Sequence, residues 1–240
     1  MDHIIEIRGK KVSYSDTGSG HAIVFLHGWM DSKNVFDGVI SILSSKYRCI
    51  GIDLPGFGKS EIVEDVTLNK ISKIIEILLK RIDVDKYNLV GHSLGGAVTL
   101  VHADKHQNYV NKIVLISPFV TFKQFSKSVL YSIKNFVPAL IERILKSKSP
   151  NLQAVNAFKI AFLLSNTDLY KYLRKVRKDI LLVYGTRDSL LSIRPLQPLF
   201  GVLNNLHLAI FEDVRHYIVT YNPTDLAEKI DLFFVGDRVQ

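Results

Sequence analysis

The chain has 240 residues, 47% of them hydrophobic, and a formal net charge of +8 from 31 Lys and Arg against 23 Asp and Glu. That composition excludes a disordered segment and supplies one substantial core, most simply as a single domain. The lone cysteine, Cys49, excludes an internal disulfide, and within the apolar run 47–52 it reads as a buried, inert thiol.

An antiparallel hairpin is expected first, over 4–8 and 11–16, joined near Gly9. The opening residues carry an early acid and no continuous apolar core, so no signal peptide is expected. No later apolar run is long enough to cross a bilayer, and a cytoplasmic location is the expectation. A buried-type strand at 23–26 ends in His27-Gly28-Trp29. A helix near 33–44 leads to a strand at 47–53 and then to Asp53-Leu54-Pro55-Gly56-Phe57-Gly58-Lys59-Ser60. That loop lacks the G-x-x-x-x-G-K-[ST] spacing of a phosphate cradle, so Asp53 reads as a structural residue near a cleft. Over 67–80, Leu68, Ile71, Ile74, Ile75, Leu78 and Leu79 recur at helical spacing.

The apolar run Tyr87-Asn88-Leu89-Val90 meets Gly91-His92-Ser93-Leu94-Gly95-Gly96, and a helical pattern follows. A serine between two glycines at a strand-to-helix turn is the pattern of a nucleophile elbow. The glycines are needed because the turn is too tight for side chains. The N–H of Leu94 then faces the space above the serine and can bind an oxyanion. A second donor is expected from the loop after the 23–26 strand, namely the N–H of Trp29, with Met30 as the alternative. His27 reads as a brace for that loop, and His92, adjacent to the serine, as a poor base.

A strand at 113–117 is followed by Pro118, and the alternation of strand and helix stops until 178. Helices are expected there at 122–136, 137–145, 152–164 and 169–176. The alternation resumes with a strand from 179, whose apolar run Ile180-Leu181-Leu182-Val183-Tyr184 ends in Gly185-Thr186-Arg187-Asp188, then a helix near 193–203, a strand from 206 to 211 and a final helix near 223–234. His216 lies five positions beyond the 206–211 strand. Ser93, Asp188 and His216 therefore each fall just past the C-terminal end of a strand, the edge where open parallel sheets bind ligands.

On His27-Gly28-Trp29, the 53–60 loop, the elbow, Gly185-Thr186-Arg187-Asp188 and His216, the chain resembles the α/β-hydrolase superfamily over essentially its whole length. Within it the chain looks most like small single-cap carboxylesterases, a group that includes esterases acting on a pimeloyl carrier-protein ester. The resemblance implies an α/β fold with a mostly parallel central sheet and helices on both faces. The core would comprise 1–117 and 179–240, and a helical cap over 118–178 would be inserted after the sixth strand. It also implies a triad of Ser93, Asp188 and His216, beside the oxyanion donors Trp29 and Leu94 read above; no metal cluster stands out in the sequence and no cofactor is expected. The chain departs from many relatives in carrying Arg215 before the histidine and no glutamate soon after it. Met30, Phe119 and Phe122 are the expected substrate contacts, and the aromatic content of 118–178 favours an apolar acyl chain or alcohol.

The charge is uneven. Residues 118–178 hold twelve Lys and Arg against Glu142 and Asp168, whereas the remainder holds nineteen basic and twenty-one acidic residues. The cluster Lys171, Arg174, Lys175, Arg177 and Lys178 is the densest part. It reads either as a solvated helix face or as a surface that steers an acidic carrier protein or anionic lipid headgroups. No nucleic-acid reading motif accompanies it, so no nucleic-acid partner is expected.

Overall fold

The computed structural model describes residues 2–125, 156, 159–160 and 167–237. Eight strands form one sheet: β1 (Asp2–Ile7), β2 (Lys10–Thr17), β3 (Ala22–Leu26), β4 (Arg48–Ile52), β5 (Tyr87–His92), β6 (Val110–Ile116), β7 (Ile180–Gly185) and β8 (Leu206–Phe211). Their order is β1-β2-β4-β3-β5-β6-β7-β8. β2 runs antiparallel to both β1 and β4, and every other pairing is parallel.

β3, β5 and β7 are buried along their whole length because helices cover both faces, which is why β3 and β7 read as continuous apolar runs rather than alternating ones. On one face pack α2 (Leu68–Arg81) and α3 (Leu94–Lys105). On the other pack α1 (Asp37–Leu43) and the last helix, α6 (Pro223–Val235). Two short helices, α4 (Tyr170–Lys175) and α5 (Ile218–Tyr221), are also described.

Thr67 starts α2, its side chain accepting a hydrogen bond from the N–H of Lys70 at 3.1 Å, as an N-cap does. The helix buries Leu68, Ile71, Ile74, Ile75, Leu78 and Leu79, the expected stripe. Each such side chain contributes about 1.5–3 kcal/mol by leaving water. In contrast, α3 buries every residue from Leu94 to Ala103, so no amphipathic pattern marks it. His102 joins the two helices to the sheet: its Nδ1 meets the Ser72 hydroxyl at 3.0 Å and its Nε2 meets the Tyr87 hydroxyl at 2.7 Å.

Two expected helices differ. The segment near 33–44 divides into a 3-10 turn at Lys33–Phe36 and then α1. The helix expected near 193–203 is a 3-10 segment, Arg194–Leu199. Pro195 falls in the first turn, where no donor is needed, but Pro198 lies inside and has no N–H to give an α-helical ladder. The helix expected at 169–176 is present as α4. Those expected at 122–136, 137–145 and 152–164 lie almost wholly outside the described residues, as does most of the proposed 118–178 cap.

Candidate active site

Between β3 and β5 the chain changes direction across the sheet: β4 lies beyond β3 on one side, and β6 beyond β5 on the other. Such a switch point opens a crevice at the C-terminal ends of the strands. The Gly28 loop leaves β3 there and Ser93 leaves β5. A Cβ added to Gly28 would stand 3.4 Å from the Ser93 Cβ and 3.1 Å from Nδ1 of His92, so the two loops are in contact.

Ser93 has φ 53° and ψ −112°, a conformation that costs a non-glycine residue about 1–3 kcal/mol. Four backbone hydrogen bonds impose it. The Ser93 N–H donates to the Ile116 carbonyl at 3.0 Å, and the Ser93 carbonyl accepts from Gly96, Ala97 and Phe119 at 3.0, 3.3 and 3.0 Å. Close behind the turn, a Cβ on Gly95 would lie 1.9 Å from the Leu26 carbonyl oxygen, so only glycine lets α3 start against β3. Leu94 is the first residue of α3, where backbone N–H groups have no helical partner.

The loops after β7 and β8 are tied together. Thr186 N–H donates to the Phe211 carbonyl at 2.9 Å, Arg187 N–H to the Val214 carbonyl at 2.9 Å, and Asp213 N–H to the Thr186 hydroxyl at 2.9 Å. This brings Asp188 to His216, whose Nδ1–H donates to Oδ2 of Asp188 at 2.8 Å. The other carboxylate oxygen accepts from the N–H groups of Leu190 and Leu191 at 3.0 and 2.9 Å. Burial alone raises a carboxylate pKa; here the His216 hydrogen bond and charge, the Leu191 N–H and the nearby Ser117 hydroxyl outweigh it and hold Asp188 below its ordinary value. The Asp188 side chain is 2% exposed, so the carboxylate is shielded from water. Asp213, the other nearby acid, pairs with Arg187 at 3.0 Å on the surface instead.

His92 links this assembly to the elbow. Its ring centroid lies 4.9 Å from that of His216, and its Nε2–H donates to the His216 carbonyl at 3.1 Å. Burial, then the neighbouring His216, push its pKa down to about 3, so it is a neutral donor. The sequence set His92 aside as a base; its adjacency to Ser93 is the signal that could have suggested a bracing role.

His27 is a brace as expected. Its Nε2 accepts from the Leu54 N–H at 2.9 Å, which leaves Nδ1–H to donate to the Gly28 carbonyl at 2.7 Å. Asp53 is buried and structural: its carboxylate accepts from the N–H groups of Lys33 and Lys59 at 2.8 and 3.0 Å. Trp29 is 37% exposed and Met30 63% exposed at the rim, Met30 with a φ of 57°. Phe119 is buried and packs on Phe125 with ring centroids 5.7 Å apart, and its N–H donates to the Ser93 carbonyl at 3.0 Å. The side chain of Phe122 lies outside the described residues. Arg215 is exposed. Among the described residues no three His, Cys, Asp or Glu side chains are grouped to hold a metal ion, and no helix is long and apolar enough to cross a membrane.

This fold and this set of strand-end loops define the class: the chain belongs to the α/β hydrolase fold family, whose profile matches residues 21–157. Among curated relatives it is 36% identical over 101 residues to a pimeloyl-[acyl-carrier protein] methyl ester esterase of Nitrosomonas europaea, covering 42% of this chain and 38% of that protein. The first curated relatives it matches are thus covered over little more than a third of their length. A protein of the same name from Vibrio vulnificus is 26% identical across 91% of this chain and 96% of its own. The solved structure of an esterase from Exiguobacterium antarcticum superimposes with a TM-score of 0.79 at 21% identity, over 98% of this chain and 100% of that one, a likeness of fold.

Proposed function

We propose that this protein is a serine hydrolase that cleaves carboxylic esters with an apolar acyl or alcohol part through an acyl-enzyme intermediate. The observation that carries the reading is the 2.8 Å hydrogen bond from His216 to Asp188 at the same sheet edge as the strained Ser93. In this reading Ser93 attacks the ester carbonyl while His216 takes its proton, because a serine hydroxyl is a weak nucleophile at neutral pH. Asp188 fixes the imidazole tautomer and stabilises the imidazolium that forms. The N–H groups of Leu94 and Trp29 bind the oxyanion, each donor worth roughly 3 kcal/mol in the transition state. His216 then protonates the departing alcohol and activates the water that releases the acid.

A carrier-linked acyl ester, or a thioester, is the favoured natural substrate class. Two observations support it: the names of the relatives above, and a basic face at α4 on which Lys171, Arg174, Lys175 and Arg177 are exposed. In this reading residues 118–178 form the cap that roofs the acyl site. The test is a panel of nitrophenyl esters of graded chain length together with a phosphonate that labels reactive serines. Burst kinetics and labelling of Ser93 are expected. Absence of both across the panel would leave the fold as a ligand-binding scaffold instead.

A further inference from the structure

The first described residues after β6 contain a buried glutamine that is joined to both sides of the Asp188 loop. Gln124 is 1% exposed. Its Oε1 accepts from the N–H groups of Val120 and Thr121 at 2.7 and 2.9 Å, which fixes the orientation of the amide. Its Nε2 donates to the Pro118 carbonyl at 3.0 Å and to the Tyr184 hydroxyl at 2.9 Å. The amide is therefore fully satisfied inside the protein, and one of its bonds reaches β7 four residues before Asp188.

The backbone of the same residue reaches the other side. The Gln124 carbonyl accepts from the Ser192 N–H at 2.9 Å, four residues after Asp188. Next to it, Phe125 and Leu191 pair across an isolated antiparallel bridge. Leu191 is also a donor to Oδ1 of Asp188, so the bridge and the carboxylate share one residue. The Asp188 loop is thus held at Tyr184 by the side chain of Gln124 and at Ser192 by its main chain.

We propose that Gln124 is a positioning residue for Asp188: it sets the place of the carboxylate that orients His216, and it makes the start of the 118–178 segment part of the catalytic framework. The inference rests on the reading of Asp188 as the triad acid. A residue that only filled its turn would need the bonds to Val120, Thr121 and Pro118. The bonds to Tyr184 and Ser192 serve the acid loop. Orientation is where a small displacement is amplified, since a shift near 1 Å at a catalytic group can cost roughly 100-fold in rate.

The experiment compares the wild type with Gln124→Leu and with Tyr184→Phe, the second removing the hydroxyl that accepts from the amide and itself donates to the Pro118 carbonyl at 3.4 Å. The readouts are the downfield proton resonance of His216 Nδ1–H, which reports its hydrogen bond to Asp188, and kcat and KM for a nitrophenyl ester. In Gln124→Leu the resonance should move or broaden, and kcat should fall roughly 10- to 100-fold with KM within about twofold. Tyr184→Phe should change both in the same direction by a smaller factor. If Gln124→Leu does not fold, Tyr184→Phe alone decides. An unchanged resonance and unchanged kcat in folded variants overturn the proposal. A wild type without ester turnover would count against the esterase reading, while the resonance would still test Gln124.

Discussion

The carbonyl of His216 accepts a hydrogen bond from His92, the residue immediately before Ser93, at 3.1 Å. The backbone of the proposed base is thereby fastened to the strand that carries the proposed nucleophile. Replacing His92 with Phe should keep the ring volume and lose the donor. A net hydrogen bond is worth about 0.5–1.5 kcal/mol, so kcat should drop by up to roughly tenfold, and Gln should recover part of the loss. Equal kcat for wild type and His92→Phe would show that the bond does not position His216.

Ser93→Ala should abolish the phosphonate label and reduce ester turnover by roughly 10⁴-fold or more while the thermal midpoint stays nearly constant. Asp188→Asn should lose a similar factor, because an amide nitrogen facing His216 favours the wrong imidazole tautomer. Retained labelling in Ser93→Ala would move the nucleophile elsewhere.

Acid should weaken the fold in a defined window. Burial, as the largest cause in each case, pushes both His92 and His102 from an ordinary 6.5 down to about 3. Between those pH values the unfolded chain binds a proton at each site and the folded chain does not. Stability is therefore complete above about pH 6.5 and declines as pH falls toward about 3, by ~1.4 kcal/mol per pH unit for each histidine. Asp188, held below its ordinary value, adds a loss of the same sign at lower pH. Urea midpoints measured from pH 7 to pH 4 should show this slope, and His102→Gln should reduce it by one proton. An identical slope in that variant would contradict the neutral buried imidazole.

Gly95→Ala places a methyl 1.9 Å from the Leu26 carbonyl oxygen, a contact that β3 and α3 can relieve only by separating. The expected result is a loss of at least ~2 kcal/mol in unfolding free energy, together with loss of turnover. Calorimetry that finds a wild-type midpoint would mean the elbow has more room than its geometry implies.

Salt distinguishes the proposed natural partner. Raising ionic strength from about 0.05 to 0.5 M should increase KM for an ester carried by an acidic protein far more than for a free neutral ester. Equal responses would reduce the basic face of α4 to a solubility feature. Stronger salt-sensitive binding to anionic vesicles than to the carrier would point to a lipid surface.

Much of the framework is legible in the sequence because local geometry restricts the residue type. The elbow is visible since a turn this tight requires Gly91 and Gly95 around Ser93, and α2 is visible since one face of it is apolar at helical spacing. Asp188 and His216 are found by counting from the ends of apolar strands. The helix expected near 193–203 is instead a 3-10 segment, Arg194–Leu199, with Pro198 inside it. Gln124 carries no local signal at all. Its distant partners, Tyr184 and Ser192, are 60 and 68 positions away, and only the assembled sheet brings them near. The same holds for Arg187, whose pairing with Asp213 depends on the joined β7 and β8 loops.

The carbonyl of Val120 accepts from the N–H of Leu169 at 2.9 Å. The two ends of the intervening segment are therefore held side by side by a main-chain hydrogen bond within 118–178. A chain whose ends are already pinned side by side can exchange its interior at little entropic penalty, since closing a longer or shorter loop alters free energy only logarithmically. On the proposed reading of 118–178 as the cap over the ester site, transplanting a different segment between these two ends should change ester preference while the Asp188–His216 pair is retained.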